Sequence, residues 1–96
     1  MEQWRLLTKR GRVLLCIAHD PRIRLREIAE IVEITERSAY AIVDELTAAG
    51  YVVKQRDGRR NRYVIRRHLP VPDAGLSHLT IGDALEMFPP AQPRGA

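Results

Sequence analysis

Residues 25–46 read LREIAEIVEITERSAYAIVDEL, and their apolar positions form two stripes with the spacing of short α-helices. The first stripe recurs at i, i+3, i+4 and i+7 and contains Leu25, Ile28, Ala29 and Val32. The second stripe follows Thr35, a favourable N-cap, and contains Ala39, Ile42, Val43 and Leu46. This pattern predicts two amphipathic helices joined by a short turn.

Another helix is predicted upstream of this pair. Thr8 is a second N-cap candidate, and the apolar residues 13–18 follow it with helical spacing. Asp20 and Pro21 then end the helix, because proline has no amide hydrogen and restricts the residue before it. Before the next helix, residues 23–24 are enough only for a small strand.

The pattern changes after Gly50, which stands where the end of a helix favours a left-handed residue. Residues 51–53 and 63–65 are triplets of aromatic and β-branched residues, which favour strands. Asp57 and Gly58 lie between them and predict the turn of a β-hairpin. Both a two-residue turn and a longer arginine-rich loop fit this sequence, so the register of the hairpin stays open.

The chain after the hairpin predicts a linker and one further helix. Two closely spaced prolines exclude a helix immediately after the hairpin. Thr80 and Asp83 have the spacing of a capping box and predict a short helix over about residues 80–88. We therefore expect a folded domain over residues 1–70, followed over residues 71–96 by the proline-containing linker, the short helix and a disordered tail.

The composition is that of one globular domain with little catalytic equipment. A chain of 96 residues with 45% hydrophobic and 29% charged residues is long enough for one core. Its single cysteine, Cys16, excludes an intramolecular disulfide and a cysteine-built zinc site, as is typical of a cytoplasmic protein. No nucleophile–histidine pair at a suggestive spacing, phosphate-binding glycine loop or metal-ligand spacing occurs. We therefore expect no enzymatic activity, no cofactor and no metal ion.

Basic residues concentrate in the hairpin. The net charge is only +4, with 16 lysines and arginines against 12 carboxylates. Residues 54–67 nevertheless contain seven cations and one carboxylate, whereas residues 25–49 contain two cations and six carboxylates. Most of the cations are arginines, whose planar guanidinium group binds phosphate through two hydrogen bonds. No apolar run approaches the ~20 residues that span a bilayer, so the distribution indicates a polyanionic partner rather than a membrane.

Residues 25–46, together with the AGYV step into the hairpin at residues 49–52, resemble the winged helix-turn-helix of MarR-like and ArsR-like bacterial regulators. The similarity extends over residues 8–67. It implies an α+β, mainly α-helical fold, in which a three-helix core and a β-hairpin wing are followed here by the short C-terminal helix. Glu33 departs from the family pattern, which has glycine in the turn. A non-glycine residue in a left-handed conformation costs about 1 kcal/mol, which leaves open whether the turn is reshaped.

The resemblance implies that the chain binds double-stranded DNA, with the helix at about residues 35–48 in the major groove. The outward face and first turn of that helix contain the DNA-binding candidates Thr35, Glu36, Arg37, Ser38, Tyr40, Ala41 and Asp44. Arg37 suits guanine, Tyr40 suits a phosphate or a thymine methyl group, and the two hydroxyls suit a phosphate at the helix N terminus. Glu36 is a candidate for cytosine N4 or, equally, a carboxylate that complements the helix dipole.

The wing provides the second set of candidates for DNA contact. We expect its cations and one amide on the DNA backbone or in an adjacent minor groove, and they are Lys54, Arg56, Arg59, Arg60, Asn61 and Arg62. A basic hairpin that its charge merely keeps soluble is the alternative interpretation. Three cations at the start of the first helix are a weaker phosphate candidate or an ordinary solvated face, and they are Lys9, Arg10 and Arg12.

Regulators of this kind usually present two recognition helices ~34 Å apart, so we expect a homodimer that regulates transcription in the cytoplasm, on the nucleoid. Trp4, Leu6 and Leu7 near the N terminus and the apolar residues within 76–88 are the candidate dimer interface. A final helix that folds back to cover its own domain is the alternative interpretation.

A rival function of a different class is also consistent with the charge distribution. A winged helix can serve as an adaptor that docks on another protein and binds little DNA. The acidic face around Glu27, Glu30 and Glu33 is what such a module would present. DNA binding at low salt distinguishes the two functions.

Overall fold

A computed structural model describes residues 7–88 of the chain. Over that range the helices and strands are α1 (Lys9–His19), α2 (Leu25–Val32), α3 (Glu36–Ala48), β1 (Val52–Asp57), β2 (Arg60–Ile65) and α4 (Ile81–Glu86). Three helices, an antiparallel two-stranded hairpin and a short final helix are the architecture of a winged helix-turn-helix. The fold class expected from the sequence is confirmed.

Helices α1 and α3 begin at the caps that the sequence predicts. The Thr8 hydroxyl oxygen accepts a hydrogen bond from the Gly11 amide at 3.1 Å, and the Thr35 hydroxyl oxygen accepts from the Ser38 amide at 3.0 Å. Each bond satisfies an amide that has no partner within its own helix. Helix α1 ends immediately before the predicted aspartate–proline stop.

The turn between α2 and α3 keeps a left-handed residue, with glutamate in place of glycine. Glu33 follows α2 at φ 65° and ψ 49°, and no other non-glycine residue between positions 7 and 88 has a positive φ. The next amide, that of Ile34, donates to the Ala29 carbonyl at 3.0 Å and closes the end of the helix. The turn is therefore not reshaped, and the glutamate adopts a conformation that costs about 1 kcal/mol.

The core lies between the three helices and the hairpin and is almost entirely aliphatic. Its buried cluster contains Val13, Cys16, Ile17, Ile23, Ile28, Ala29, Val32, Ala39, Val43, Leu46, Val52 and Tyr63. Every residue of the two predicted helical stripes belongs to this cluster or packs against it. Burial raises the pKa of the Cys16 thiol above its ordinary value, although the nearby Arg12 lowers it. Cys16 is thus a core residue.

The hairpin, called the wing from here on, has a two-residue turn. Asp57 pairs with Arg60, so Gly58 and Arg59 form the turn and the longer loop is excluded. Gly58 has φ 66°, which suits a glycine at the first turn position of the type II′ turns common in hairpins. A Cβ at Gly58 would meet nothing within 4 Å. Backbone freedom, rather than space, therefore favours glycine there.

The wing is attached to the loop between α1 and α2. The small strand expected at residues 23–24 does not form, since two residues are too few for a stable ladder. Instead, the Tyr63 amide of β2 donates to the Pro21 carbonyl at 2.8 Å. The Arg22 guanidinium also lies 3.5 Å from the Asp57 carboxylate at the end of β1. These two contacts hold both strands of the wing beside the loop.

The segment after the wing folds back before α4 begins. The Ile81 amide donates to the Leu69 carbonyl at 2.7 Å, and the Gly82 amide donates to the Arg67 carbonyl at 2.9 Å. A Cβ on Gly82 would come within 3.1 Å of the Arg67 Cβ, so the lack of a side chain permits this close approach. The start of α4 is thereby held against the chain that leaves the wing.

Helix α4 has the predicted capping box but is shorter than expected. The Thr80 hydroxyl accepts from the Asp83 amide at 3.0 Å, and the Asp83 carboxylate accepts from the Thr80 amide at 3.1 Å. The bond from the Thr80 backbone, followed by that of its hydroxyl, lowers the pKa of Asp83. The helix ends at Glu86, and the amides of Met87 and Phe88 bind the carbonyls of Ala84 and Leu85, three residues back, at 3.1 Å and 3.3 Å. The tail expected to be disordered, residues 89–96, lies outside the described residues, as do residues 1–6.

Candidate nucleic-acid interface

The outward face of α3 is open to a partner. Four candidate residues lie along it at i, i+3, i+4 and i+7, and all are exposed: Arg37, Tyr40, Ala41 and Asp44. Tyr40 is 57% exposed, so its ring is not part of the core. Arg37 forms no ion pair with any carboxylate of residues 7–88. An unpaired arginine next to a tyrosine and a small alanine is suited to the edges of bases in a groove.

The start of α3 presents one hydroxyl hydrogen to a ligand. The Thr35 hydroxyl donates to the Ser38 Oγ at 2.9 Å while it accepts from the Ser38 amide, so its hydrogen is already used. The Ser38 hydroxyl accepts that bond and keeps its own hydrogen. Glu36 is exposed in the first turn, where a carboxylate complements the helix dipole. Of these three residues, Ser38 is best prepared for a phosphate oxygen.

The register of the hairpin divides the wing candidates between the two faces of the sheet. Lys54, Arg56 and Asn61 lie on one face of the hairpin. Nearer the base of the wing, other residues of the same face pack on the core. Arg62 lies on the opposite face, and Arg59 lies in the turn. All five side chains are exposed. Donor groups therefore surround the tip of the wing rather than lining one side of it.

Arg60 differs from the other arginines of the wing. Its Nη2 donates to the Arg22 carbonyl at 2.7 Å, and its side chain is only partly exposed. Its Nε is buried and has no hydrogen-bond partner. Arg60 thus connects the wing to the loop before α2 instead of standing at the free tip.

A cationic cavity lies between the wing, the loop before α2 and the start of α3. Its volume is about 410 Å³, and its lining contains five arginines, which are Arg22, Arg24, Arg26, Arg59 and Arg60. Glu36 is the one carboxylate in this lining. We call this cavity the arginine pocket. Three of its arginines, Arg22, Arg24 and Arg26, were not among the candidates predicted from the sequence, although they alternate with apolar residues in the segment RIRLR that leads into α2.

Two of the three basic residues at the start of α1, Arg10 and Arg12, are engaged in the fold. Arg10 Nε donates to the Glu45 carboxylate of α3 at 2.8 Å. Arg12 donates to the carbonyls of Ile31 and Val32, both at 3.3 Å, and so caps the C terminus of α2. Since these contacts hold α1 against the other two helices, a structural role accounts for both arginines.

Other kinds of site are scarce in the part of the chain that the structure describes. The carboxylates of Glu27, Glu30 and Glu33 are exposed around α2 and face away from the core. No group of three metal-ligating side chains among residues 7–88 lies close enough to hold a metal ion. None of the helices in that range has the length and hydropathy needed to span a bilayer.

Comparison with known proteins finds one family. The family model of winged helix-turn-helix DNA-binding domains matches residues 6–53, half of the chain, from α1 into β1. No curated protein sequence matches the chain significantly. The family match includes α3 and ends before the arginines of the wing.

Proposed function

The chain belongs to the family of winged helix-turn-helix DNA-binding domains, and from that premise we propose that it binds double-stranded DNA sequence-specifically as a transcriptional regulator. One observation carries the proposal: the exposed face of α3 stands beside a wing whose tip has donor groups on both faces. We assign DNA binding to residues 1–70 and regard residues 71–96 as an appended segment.

Helix α3 is proposed to enter the major groove and read base edges. Arg37 has the length and the two parallel donors that guanine O6 and N7 require. Tyr40 suits a phosphate or a thymine methyl group, and Ala41 leaves room beside it for the close approach of a base. Glu36 and Asp44 only accept hydrogen bonds, so cytosine N4 is the base group that suits them.

The wing is proposed to bind the DNA backbone or the adjacent minor groove, where contacts add affinity without reading bases directly. Its exposed contact residues are Lys54, Arg56, Arg59, Asn61 and Arg62. Arg60 contributes from the arginine pocket. Ser38, oriented by Thr35, is proposed to donate to a phosphate at the start of α3. These groups offset the carboxylates of α2 and α3, which would otherwise repel DNA.

Electrophoretic retardation of a random duplex at low salt, repeated as the salt rises, tests DNA binding. A dimer that neutralises about eight phosphates should give a log–log slope of about −7. Selection of bound duplexes from a random pool should then yield a two-fold symmetric motif. The adaptor function predicts no retardation even at low salt, and that result would overturn the proposal.

We further propose a homodimer of the MarR-like or ArsR-like kind, joined through its terminal segments and bound to the nucleoid in the cytoplasm. One winged helix reads few base pairs, whereas a two-fold pair presents two recognition helices ~34 Å apart. Leu76 is 46% exposed and Met87 is 60% exposed, and a second copy would cover this apolar surface. Trp4 and Leu6, which belong to the same proposed interface, lie outside the described residues.

Light scattering during gel filtration tests this assembly. The full chain should elute with the mass of two copies, and a Leu76→Glu/Met87→Glu variant should elute as one. A wild-type chain that stays monomeric at high micromolar concentration would overturn the dimer.

A further inference from the structure

The arginine pocket collects more positive charge than the contacts within the fold neutralise. Five arginines and one glutamate line a cavity of about 410 Å³, within the ~300–1,000 Å³ typical of small-molecule sites. Like charges held around one cavity repel each other, and the repulsion is strongest where water is partly excluded. An anion placed among them removes that repulsion.

The protein neutralises few of these charges. Arg22 is 3.5 Å from Asp57, and Arg60 is bound to a backbone carbonyl, which carries no full charge. No carboxylate of residues 7–88 lies within ion-pair distance of the other three arginines of the pocket, which are Arg24, Arg26 and Arg59. The Oε1 atom of the nearby Glu27 accepts a hydrogen bond from the Arg24 backbone amide at 2.9 Å, and neither carboxylate oxygen of Glu27 lies within 4 Å of a guanidinium nitrogen of the pocket. Three guanidinium groups therefore remain for a ligand.

One donor in the lining is already desolvated. The Nε of Arg60 is buried without an acceptor, and a buried donor without an acceptor is rare in folded proteins. Burial also raises the pKa of the Tyr63 hydroxyl, which a hydrogen bond from Asn61 partly opposes, so the phenol stays protonated at neutral pH. Apart from Glu36, the polar side chains of the lining are thus donors or amides. This chemistry suits a ligand rich in acceptor oxygens.

We propose that the arginine pocket binds a phosphate group, either of the DNA backbone or of a free phosphorylated small molecule. Guanidinium groups hold phosphate oxygens through paired, charge-assisted hydrogen bonds, and several can share one phosphate. A phosphate in the pocket would contact the wing and residues 22–26 together, whereas the start of α3 contributes only the Glu36 carboxylate to the lining, which would repel it. Only the DNA alternative rests on the proposed function; the phosphate site does not.

A titration of the full chain with pyrophosphate in the absence of DNA, followed by amide NMR, tests the site. Amide shifts should concentrate at residues 22–26 and 59–61. The Arg24→Gln variant should bind pyrophosphate about tenfold more weakly, since it loses a charge-assisted contact. Arg66→Gln removes the same charge from an exposed side chain outside the pocket and should bind within about twofold of wild type. Thermal unfolding of both variants shows whether they fold equally well.

A duplex titration of the same variants identifies the source of the phosphate. If the pocket holds a DNA phosphate, pyrophosphate competes with the duplex for the protein. In that case Arg24→Gln also flattens the log–log dependence of duplex affinity on salt by about one unit for each pocket. If it holds a free molecule, Arg24→Gln still binds pyrophosphate about tenfold more weakly but matches Arg66→Gln in duplex affinity. Both results support the phosphate site.

Two results overturn the phosphate site: no amide shifts at residues 22–26 and 59–61, or an Arg24→Gln variant that binds pyrophosphate as tightly as wild type. A wild-type chain that binds pyrophosphate in the pocket and no duplex at low salt would refute the proposed function while supporting the site. The two failures are therefore distinguishable.

Discussion

Replacing Glu33 measures the strain in the turn that sets α3 against α2. At φ 65° and ψ 49°, the Cβ of an L-residue is crowded by its own backbone, which costs about 1–2 kcal/mol. Glycine avoids this crowding but loses about 0.5 kcal/mol more conformational entropy on folding than alanine does. We therefore expect Glu33→Gly to be about 1 kcal/mol more stable than Glu33→Ala. Both variants lack the carboxylate, so the interactions of that group cancel in the comparison.

Thermal unfolding followed by far-UV circular dichroism measures the difference. For a domain of this size, about 1 kcal/mol corresponds to a shift of about 4–8 °C in Tm. The glycine variant should therefore melt about 4–8 °C above the alanine variant. Its duplex affinity should stay close to that of the alanine variant, because both keep the same turn.

Glu30 provides the matched control, since it is exposed within α2 itself. There the backbone is helical, and glycine should be about 1 kcal/mol less stable than alanine. The glycine variant should therefore have the higher Tm at position 33 and the lower Tm at position 30. Equal midpoints for the two Glu33 variants, or the same direction at both positions, would refute the strain argument.

Three further outcomes are expected. Arg37→Ala should weaken binding to the preferred duplex by about 1–3 kcal/mol, with no change in the Tm of the protein. In selection from a random pool, the variant should lose the base preference at one position of the motif. Arg56→Ala/Arg59→Ala should instead weaken all duplexes alike and flatten the salt slope by about one unit per lost phosphate contact; altered sequence preference with an intact slope would reverse these roles. Carboxyl NMR should show Asp83 titrating below the ordinary aspartate pKa, because Thr80 stabilises its charged form. This interaction stabilises the folded state above the unfolded-state pKa of Asp83, and the stabilisation is lost as the pH falls through the lower folded-state pKa. An Asp83 pKa at the ordinary aspartate value would show that the capping box is not formed.

The helices were predictable because their signals are local. Thr8, Thr35 and Thr80 each cap a helix within three residues of themselves, and neighbouring side chains determine the apolar stripes. The register of the wing was not predictable from local sequence, because two turn lengths fit it equally well. The core resolves this ambiguity, since a slip of one residue would move Tyr63, which is 5% exposed, from the core to solvent.

The arginine pocket had no comparable signal. Its arginines come from residues 22–26 and 59–60, more than thirty positions apart in the chain. They meet because Tyr63 binds Pro21 and Arg60 binds the Arg22 carbonyl, and neither contact leaves a trace in sequence spacing. Candidate residues on a single helix or strand are therefore easier to predict from sequence than a site assembled from several elements.

The two proposed DNA-binding elements are attached to opposite ends of α2. The wing is held beside its N-terminal end through the loop that contains Pro21 and Arg22, and α3 continues from its C-terminal end through Glu33. Arg12 stabilises the C-terminal end of α2 by donating hydrogen bonds to its last two carbonyls. A helix of eight residues therefore helps to set the distance between the proposed base-reading helix and the proposed backbone-binding wing, together with the direct connection from α3 to β1 at residues 49–51. Substitutions that distort α2 should consequently weaken DNA binding even where they touch no nucleotide, because a wing in the wrong place cannot reach the backbone while α3 lies in the groove.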